Sequence, residues 1–244
     1  MLILRQMKNN KQFNLLIIDA QEDFCNSATG SLYINGAHED CRRIANFIEE
    51  NGDNIKSIVL TVDWHSFNHC SFSTTWGKEN KIISTPVEQW LNEHPDIPVE
   101  ELPGIVGDNI VTWPQHCIAY DRGAAIQPLV WKACLSFKVK YPDKKIIVFR
   151  KGIDCEEYSA FARNEMGYSF EQMSFLMDKI TPLYIMGEAA DVCVKNSLSH
   201  LLSRYDMGEN IIVLKDYMSA VDENFSFEND NVYQRLIENG GKII

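Results

Sequence analysis

The sequence predicts an α/β protein whose strands form a mostly parallel sheet covered by helices on both faces. Three observations carry that prediction. Short apolar runs recur along the chain, and they are continuous rather than alternating, as expected of strands buried on both sides. Segments with helical spacing separate them. The first three runs end on or just before Asp19, Asp63 and Lys151, and a fourth breaks into a small-residue turn ahead of Cys193.

Taken in order, Phe13 to Ile18 is the first buried strand. Glu39 to Glu50 carries Cys41, Ile44, Ala45 and Ile48 at helical spacing, and Asn51-Gly52 stops it. Ser57 to Val62 is the second strand. From His65 to Gly123 no long periodic segment appears. Trp76-Gly77, Thr85-Pro86, His94-Pro95 and Leu102-Pro103-Gly104 punctuate that stretch as loop, with one short helix around Val87 to Glu93. Ile126, Leu129, Val130, Ala133, Cys134 and Phe137 define an amphipathic helix over Ala124–Lys140, which Pro142-Asp143 ends. Lys145 to Arg150 is the third strand, and Ser169 to Lys179 reads as helix. Leu183 to Met186 is the fourth strand. It breaks at Gly187, and a helix begins near Asp191 with Val194, Leu198, Leu201 and Leu202 at helical spacing. Ile211 to Leu214 is a fifth strand, Asn231 to Asn239 a helix, and Lys242 to Ile244 a sixth strand.

Composition narrows the function. A chain of 244 residues with 45% hydrophobic content fills one α/β domain, 1–244, with a long loop or insertion around residues 66–123. A formal charge of −11 speaks against nucleic-acid and anionic-membrane partners. Seven cysteines lie scattered without CxxC pairs, which suggests neither a disulfide framework nor a cysteine zinc site. No apolar run reaches membrane-spanning length, and residues 1–14 show no signal-peptide pattern. A cytoplasmic protein in a reducing compartment is the expectation.

In a parallel sheet, ligands bind beyond the carboxyl ends of the strands. Asp19, Asp63, Lys151 and Cys193 should therefore converge on one rim, from which the 65–123 segment also departs. A cysteine nucleophile needs a proton acceptor, which a neighbouring carboxylate supplies. A lysine between them would keep the carboxylate ionised and steady the thiolate. Cys193, at a helix start, would also feel the positive end of the macrodipole, which favours the thiolate. Taken singly, Cys193 reads equally as a small core residue, and Asp19 with Lys151 as an ion pair. Asp63-Trp64-His65 places two donors on one side of an extended segment. His69 follows four residues later, and Trp113-Pro114-Gln115-His116-Cys117 supplies another imidazole. Oxygen and imidazole together suit Zn, Mn or Fe, although a lone D-x-H pair is also a common surface feature.

Five segments, in register, resemble the nicotinamidase/pyrazinamidase family of isochorismatase-like cysteine hydrolases. They are Ile18-Asp19-Ala20-Gln21-Glu22-Asp23-Phe24, Asp63-Trp64-His65, Trp113-Pro114-Gln115-His116-Cys117, Phe149-Arg150-Lys151-Gly152 with Tyr158-Ser159-Ala160-Phe161, and Gly187-Glu188-Ala189-Ala190-Asp191-Val192-Cys193-Val194. The resemblance implies a three-layer fold with a six-stranded parallel sheet. It implies Asp19 as general acid/base, Lys151 as the family's lysine and Cys193 as nucleophile. Asp63, His65 and His116 match ligands of one divalent metal ion (Zn first, Mn or Fe otherwise), with His69 a further candidate. Phe24 and Trp113 match the aromatic residues that sandwich a pyridine ring. The family's cis peptide would fall at Glu188–Ala189, aiming the amides of Ala189 and Cys193 at an oxyanion.

The implied reaction is hydrolysis of nicotinamide, and of pyrazinamide, to the acid and ammonia through a thioester, feeding NAD salvage. Two alternatives stay open at this point: a metal-independent relative acting on a carbamoyl or ureido compound, and a non-catalytic ligand- or metal-binding member. A homo-oligomer is left open as well. The chain departs from the family pattern at Glu188, where an aliphatic residue is usual, and at Ala190, where Thr or a larger residue is common. Thr29-Gly30-Ser31-Leu32 replaces paired glycines, and Gly77–Asn109 is longer than in compact members.

Overall fold

The computed structural model describes residues 12–98, 101–153, 158–161, 174 and 178–244. The helix expected over 169–179 and the apolar patch Leu2-Ile3-Leu4 fall outside these residues, the former apart from 174, 178 and 179. A six-stranded sheet runs through the molecule, and all of its pairings are parallel. Its strands are β1 (Phe13–Ile18), β2 (Ile55–Asp63), β6 (Lys145–Lys151), β7 (Leu183–Gly187), β8 (Ile211–Val213) and β9 (Lys242–Ile243), in the spatial order β6-β2-β1-β7-β8-β9. Every residue of β1 is buried, as its unbroken apolar run requires.

Two helix pairs complete the layers. Between β1 and β2 runs α2 (Ala37–Asn51), after the single turn α1 (Glu22–Cys25), and α4 (Pro128–Lys140) precedes β6. On the other half of the sheet, α5 (Lys195–Arg204) and α6 (Asn231–Glu238) follow β7 and β8. The chain winds outward from β1 in one direction and from β7 in the other. Right-handed crossovers then place the two pairs on opposite faces. In keeping with this, α2 packs against α4, and α5 against α6. Among the described residues, no helix is long and apolar enough to cross a membrane.

The 65–123 stretch is more structured than its punctuation suggests. It holds a three-stranded antiparallel sheet of β3 (Ile83–Pro86), β4 (Ile105–Val106) and β5 (Asn109–Thr112), with α3 (Val87–Glu93) following β3. A small second core of Trp90, Leu102 and Ile110 supports it, with Trp76, Val87 and Ile97 packed alongside. These strands have two to four residues, too short to show a period. The helix expected from Ala124 begins at Pro128, because residues 122–124 form a separate 3₁₀ turn. Gln127 caps the helix by accepting from the Leu129 N–H, and Pro128 takes the first position, where no donor is missed.

One cysteine corrects the sequence reading. Cys70 is disulfide-bonded, whereas Cys25, Cys41, Cys117, Cys134 and Cys193 are free and buried. Pairing depends on the separation of Cα atoms in the fold, which spacing along the chain does not reveal.

Candidate active site

The strand register brings the polar strand ends together. Asp63 and Lys151 are register partners at the ends of β2 and β6, while Ile18 pairs with Gly187, so Asp19 and the 188–193 turn start from the same level. This rim lies where strand order reverses across β1 and β7, the usual binding crevice of an open parallel sheet.

Lys151 is the hub. Its Nζ lies 2.6 Å from Asp63 Oδ1, 2.7 Å from Asp19 Oδ2 and 3.4 Å from Cys193 Sγ. The side chain is 1% exposed, so its charge must be met by these partners. Burial alone would strip its proton; Asp19 and Asp63 outweigh burial and push the ammonium well above its ordinary range. Asp63 is held well below the usual carboxylate range, because Lys151 and His65 outweigh the effect of burial. Asp19 goes the other way. Burial raises it, Lys151 only partly offsets this, Asp63 adds repulsion, and its pKa rises to about 6. Thr61 Oγ1 donates to Asp19 Oδ1 at 2.6 Å, which orients the carboxyl group toward Lys151 and Cys193.

Cys193 sits in a π-helical turn, Ala190–Val194, that leads into α5, rather than in an ordinary first helical turn. The helix start's pull toward thiolate is outweighed here. Burial pushes the thiol well above its ordinary value, and the negative charges of Asp19 and Asp63 add to this against the opposing pull of Lys151. The group therefore rests as a thiol with an acceptor within reach: ligating atoms of Asp19, Asp63 and Cys193 all lie within 4.8 Å of one another. The peptide Glu188–Ala189 is cis, as the resemblance implies.

Asp63, His65 and His116 form the second cluster, again with donor atoms within 4.8 Å of one another. His65 Nδ1 lies 2.7 Å from the Gly152 carbonyl and His116 Nδ1 lies 2.7 Å from the Pro114 carbonyl. Only a protonated Nδ1 can donate to a carbonyl, so each ring is left with its Nε2 lone pair. Burial and the neighbouring His65 lower His116 to about 3, which keeps it neutral. A carboxylate with two imidazoles, each anchored through its Nδ1, fits a divalent metal ion. His69 stands beside His65 with ring centroids 4.3 Å apart, and its Nδ1 meets Ser71 Oγ at 2.8 Å. It falls outside the compact three-residue set.

Cys193 of the first cluster and all three residues of the second line one cavity with about 570 Å³ of empty space. Phe24, Trp113, His65, His69, His116, Ala189 and Cys193 all line it. Phe24 packs against His116 with centroids 5.4 Å apart, and Trp113 Nε1 donates to Tyr158 Oη at 3.0 Å. Every candidate residue read from the sequence is thus found at this rim or on this cavity.

Several supporting residues were not singled out from the sequence. Gln21 clamps Asp63 from both sides: its Oε1 accepts from the Asp63 N–H at 2.7 Å, and its Nε2 donates to the Asp63 carbonyl at 2.9 Å. Asp23 Oδ2 accepts from the N–H of Cys117 at 2.6 Å, which holds the backbone beside His116. Gly152 has φ +66°, and a Cβ there would run into the His65 ring and Asp63. Both Gln21 and Asp23 lie inside the first matched segment, which was their only available signal.

A sheet of this order, with a buried cysteine, a carboxylate and a lysine on its rim, is the arrangement that the resemblance to isochorismatase-like hydrolases implies. Comparison with known proteins narrows the class. The chain is 28% identical over 243 residues to the nicotinamidase of Acinetobacter baylyi, covering 98% of this chain and 95% of that protein. The yeast nicotinamidase bound to the inhibitor nicotinaldehyde superposes with a TM-score of 0.65 at 24% identity, covering 96% of this chain and 99% of the other. The Pyrococcus horikoshii pyrazinamidase in complex with zinc gives 0.60 at 19% identity, covering 96% and 98%. No family model matches. The chain is a homologue of the nicotinamidases, as the five segments imply.

Proposed function

We propose that this protein hydrolyses nicotinamide to nicotinate and ammonia through a thioester on Cys193. The observation that carries the reading is the shared cavity: Cys193 lines it together with Asp63, His65 and His116, and the Lys151–Asp63 ion pair at 2.6 Å joins the two clusters.

Asp19, ionised, takes the Cys193 thiol proton as sulfur attacks the carboxamide carbon. Lys151 balances the charge that moves between the two. The backbone N–H groups of Ala189 and Cys193, both on the cavity wall, hold the oxyanion. As the C–N bond breaks, Asp19 returns the proton to the leaving nitrogen, which departs as ammonia. Water then attacks the thioester, Asp19 removes its proton, and the C–S bond breaks. Asp19 hands the proton back to sulfur, and nicotinate leaves.

Asp63, His65 and His116 would hold one divalent metal ion, which we take to be zinc because its preferred donors are these; His69 is a further candidate. When bound, it supplies a Lewis acid for the pyridine nitrogen, fixing the ring. Phe24 and Trp113 clasp the ring faces, so positioning is separated from bond making. Pyrazinamide, with a ring nitrogen similarly placed, should be accepted too. The reading includes a role in NAD salvage and a cytoplasmic setting, for which five free buried cysteines stand against the one disulfide at Cys70.

The test is ammonia release from nicotinamide by the purified protein and by Cys193→Ala. Release by the wild type and none by the variant supports the reading. Equal background rates would sink it.

A further inference from the structure

Glu188 opens the turn that carries the proposed oxyanion amide, and it is wholly buried. Its surroundings form a connected set. Glu188 Oε2 accepts from the Ser219 N–H at 3.1 Å, and the Ser219 carbonyl accepts from the Ala190 N–H at 2.8 Å. Ser219 Oγ donates to Asp40 Oδ2 at 2.5 Å, and Asp40 also pairs with Arg43. One residue further on, the Asp191 carboxylate accepts from the N–H groups of Val221 and Asp222 at 2.9 and 2.8 Å. Tyr233 Oη, from α6, donates to the Ala190 carbonyl at 2.7 Å. On the strand side, the Glu188 N–H donates to the Ile18 carbonyl at 2.8 Å.

One contact in this set needs a proton. Glu188 and Asp40 lie side by side, both bonded to Ser219, and Glu188 Oε1 is buried with no donor facing it. Two carboxylates cannot bond to each other; a carboxylic acid donates to a carboxylate. Burial first, and the Asp40 charge second, push the Glu188 carboxyl well above its ordinary value, so it carries that proton. Asp40 is the acceptor at hand: Ser219 Oγ donates to it and Arg43 pairs with it.

We propose that Glu188 is a positioning residue for the reaction, tying the 188–191 turn to Ser219 and Asp40 so that the Ala189 and Cys193 amides stay aimed at the developing oxyanion. An aliphatic side chain would fill the same space but would remove the side-chain tie to Ser219 and, through it, to Asp40 on α2, leaving only the Ala190 and Asp191 bonds to the 219–222 segment. The inference rests on the functional reading above. Its test therefore includes a measurement that needs no substrate.

Three variants are compared. Glu188→Gln keeps both contacts, since its amide N–H replaces the acid proton. Glu188→Leu keeps volume and loses both. Glu188→Asp keeps the carboxyl but is one methylene too short, and it serves if the leucine variant does not fold. A lost oxyanion donor costs about 10²–10³ in kcat, and a misaimed one less. The expectation is a fall in kcat of about tenfold or more for Glu188→Leu and Glu188→Asp, with KM within about twofold, and a Gln variant within about threefold of wild type. Hydrogen exchange over 188–194 should quicken in the Leu and Asp variants and stay at the wild-type rate in the Gln variant. Unchanged exchange and unchanged kcat in Glu188→Leu would overturn the proposal. So would equal losses in the Gln and Leu variants. Should the wild type release no ammonia from nicotinamide, the functional reading fails, and exchange alone still decides the role of Glu188.

Discussion

The two halves of the cavity are held in different ways. The bond-making half, Asp19, Lys151 and Cys193, stands at three strand ends and is held by charge: one buried ammonium between two carboxylates and a thiol. The ring-holding half, His65, His116, Phe24 and Trp113, comes from segments beyond the strands and is held by neutral contacts. Backbone carbonyls fix the two imidazoles, and Asp23 fixes the chain beside His116. Asp63 belongs to both, bound to Lys151 on one side and grouped with the imidazoles on the other. The difference teaches that the two halves should fail differently. Damage to the first should show in kcat, and damage to the second mainly in substrate capture.

The largest expected effect is on the first half. Cys193→Ala should abolish the thioester route, a loss of about 10⁴-fold or more in kcat, read from ammonia release. Asp19→Asn should cost about 10²–10⁴-fold, because the thiol then has no acceptor and the leaving amine no donor. Removal of metal by a chelator should lower kcat/KM by about 100-fold, chiefly through KM, with recovery on adding zinc. If chelation lowers kcat alone, the division between the halves is wrong. Gln21→Ala should loosen the Asp63 backbone and weaken metal binding by about tenfold in a direct titration, leaving kcat at saturating metal within a few-fold.

The pH profile sharpens the same comparison. In the proposed reaction Asp19 acts in its ionised form, and its pKa is raised to about 6. As pH falls through that value, the carboxylate gains a proton and can no longer accept one from Cys193. The logarithm of kcat/KM should therefore drop with unit slope below about pH 6 and level off above it. In Asp19→Asn that limb should vanish from whatever rate remains.

How much of this could be read from the sequence follows the same division. Continuous apolar runs fix where parallel strands end, so Asp19, Asp63, Lys151 and Cys193 could be placed on one rim before any coordinates were known. The six strands and the site residues on the matched segments followed from that frame and the resemblance. What could not be read depends on contacts between distant segments. Gln21 grips a backbone 42 positions away, and Ser219 meets Asp40 across 179 positions. Neither leaves a periodic or local trace. The antiparallel strands of residues 83–112 escaped because two to four residues cannot display a period. The upward pull on the Cys193 thiol could not be read, because helix position was visible and burial beside two carboxylates was not.

One measurement tests the central claim most directly: rapid quenching of the protein during turnover of nicotinamide, followed by mass spectrometry of the peptide that contains Cys193. The account predicts a single nicotinoyl group on that cysteine, absent from Asp19→Asn and from protein without substrate. Ammonia released at full rate with Cys193 never acylated would contradict it.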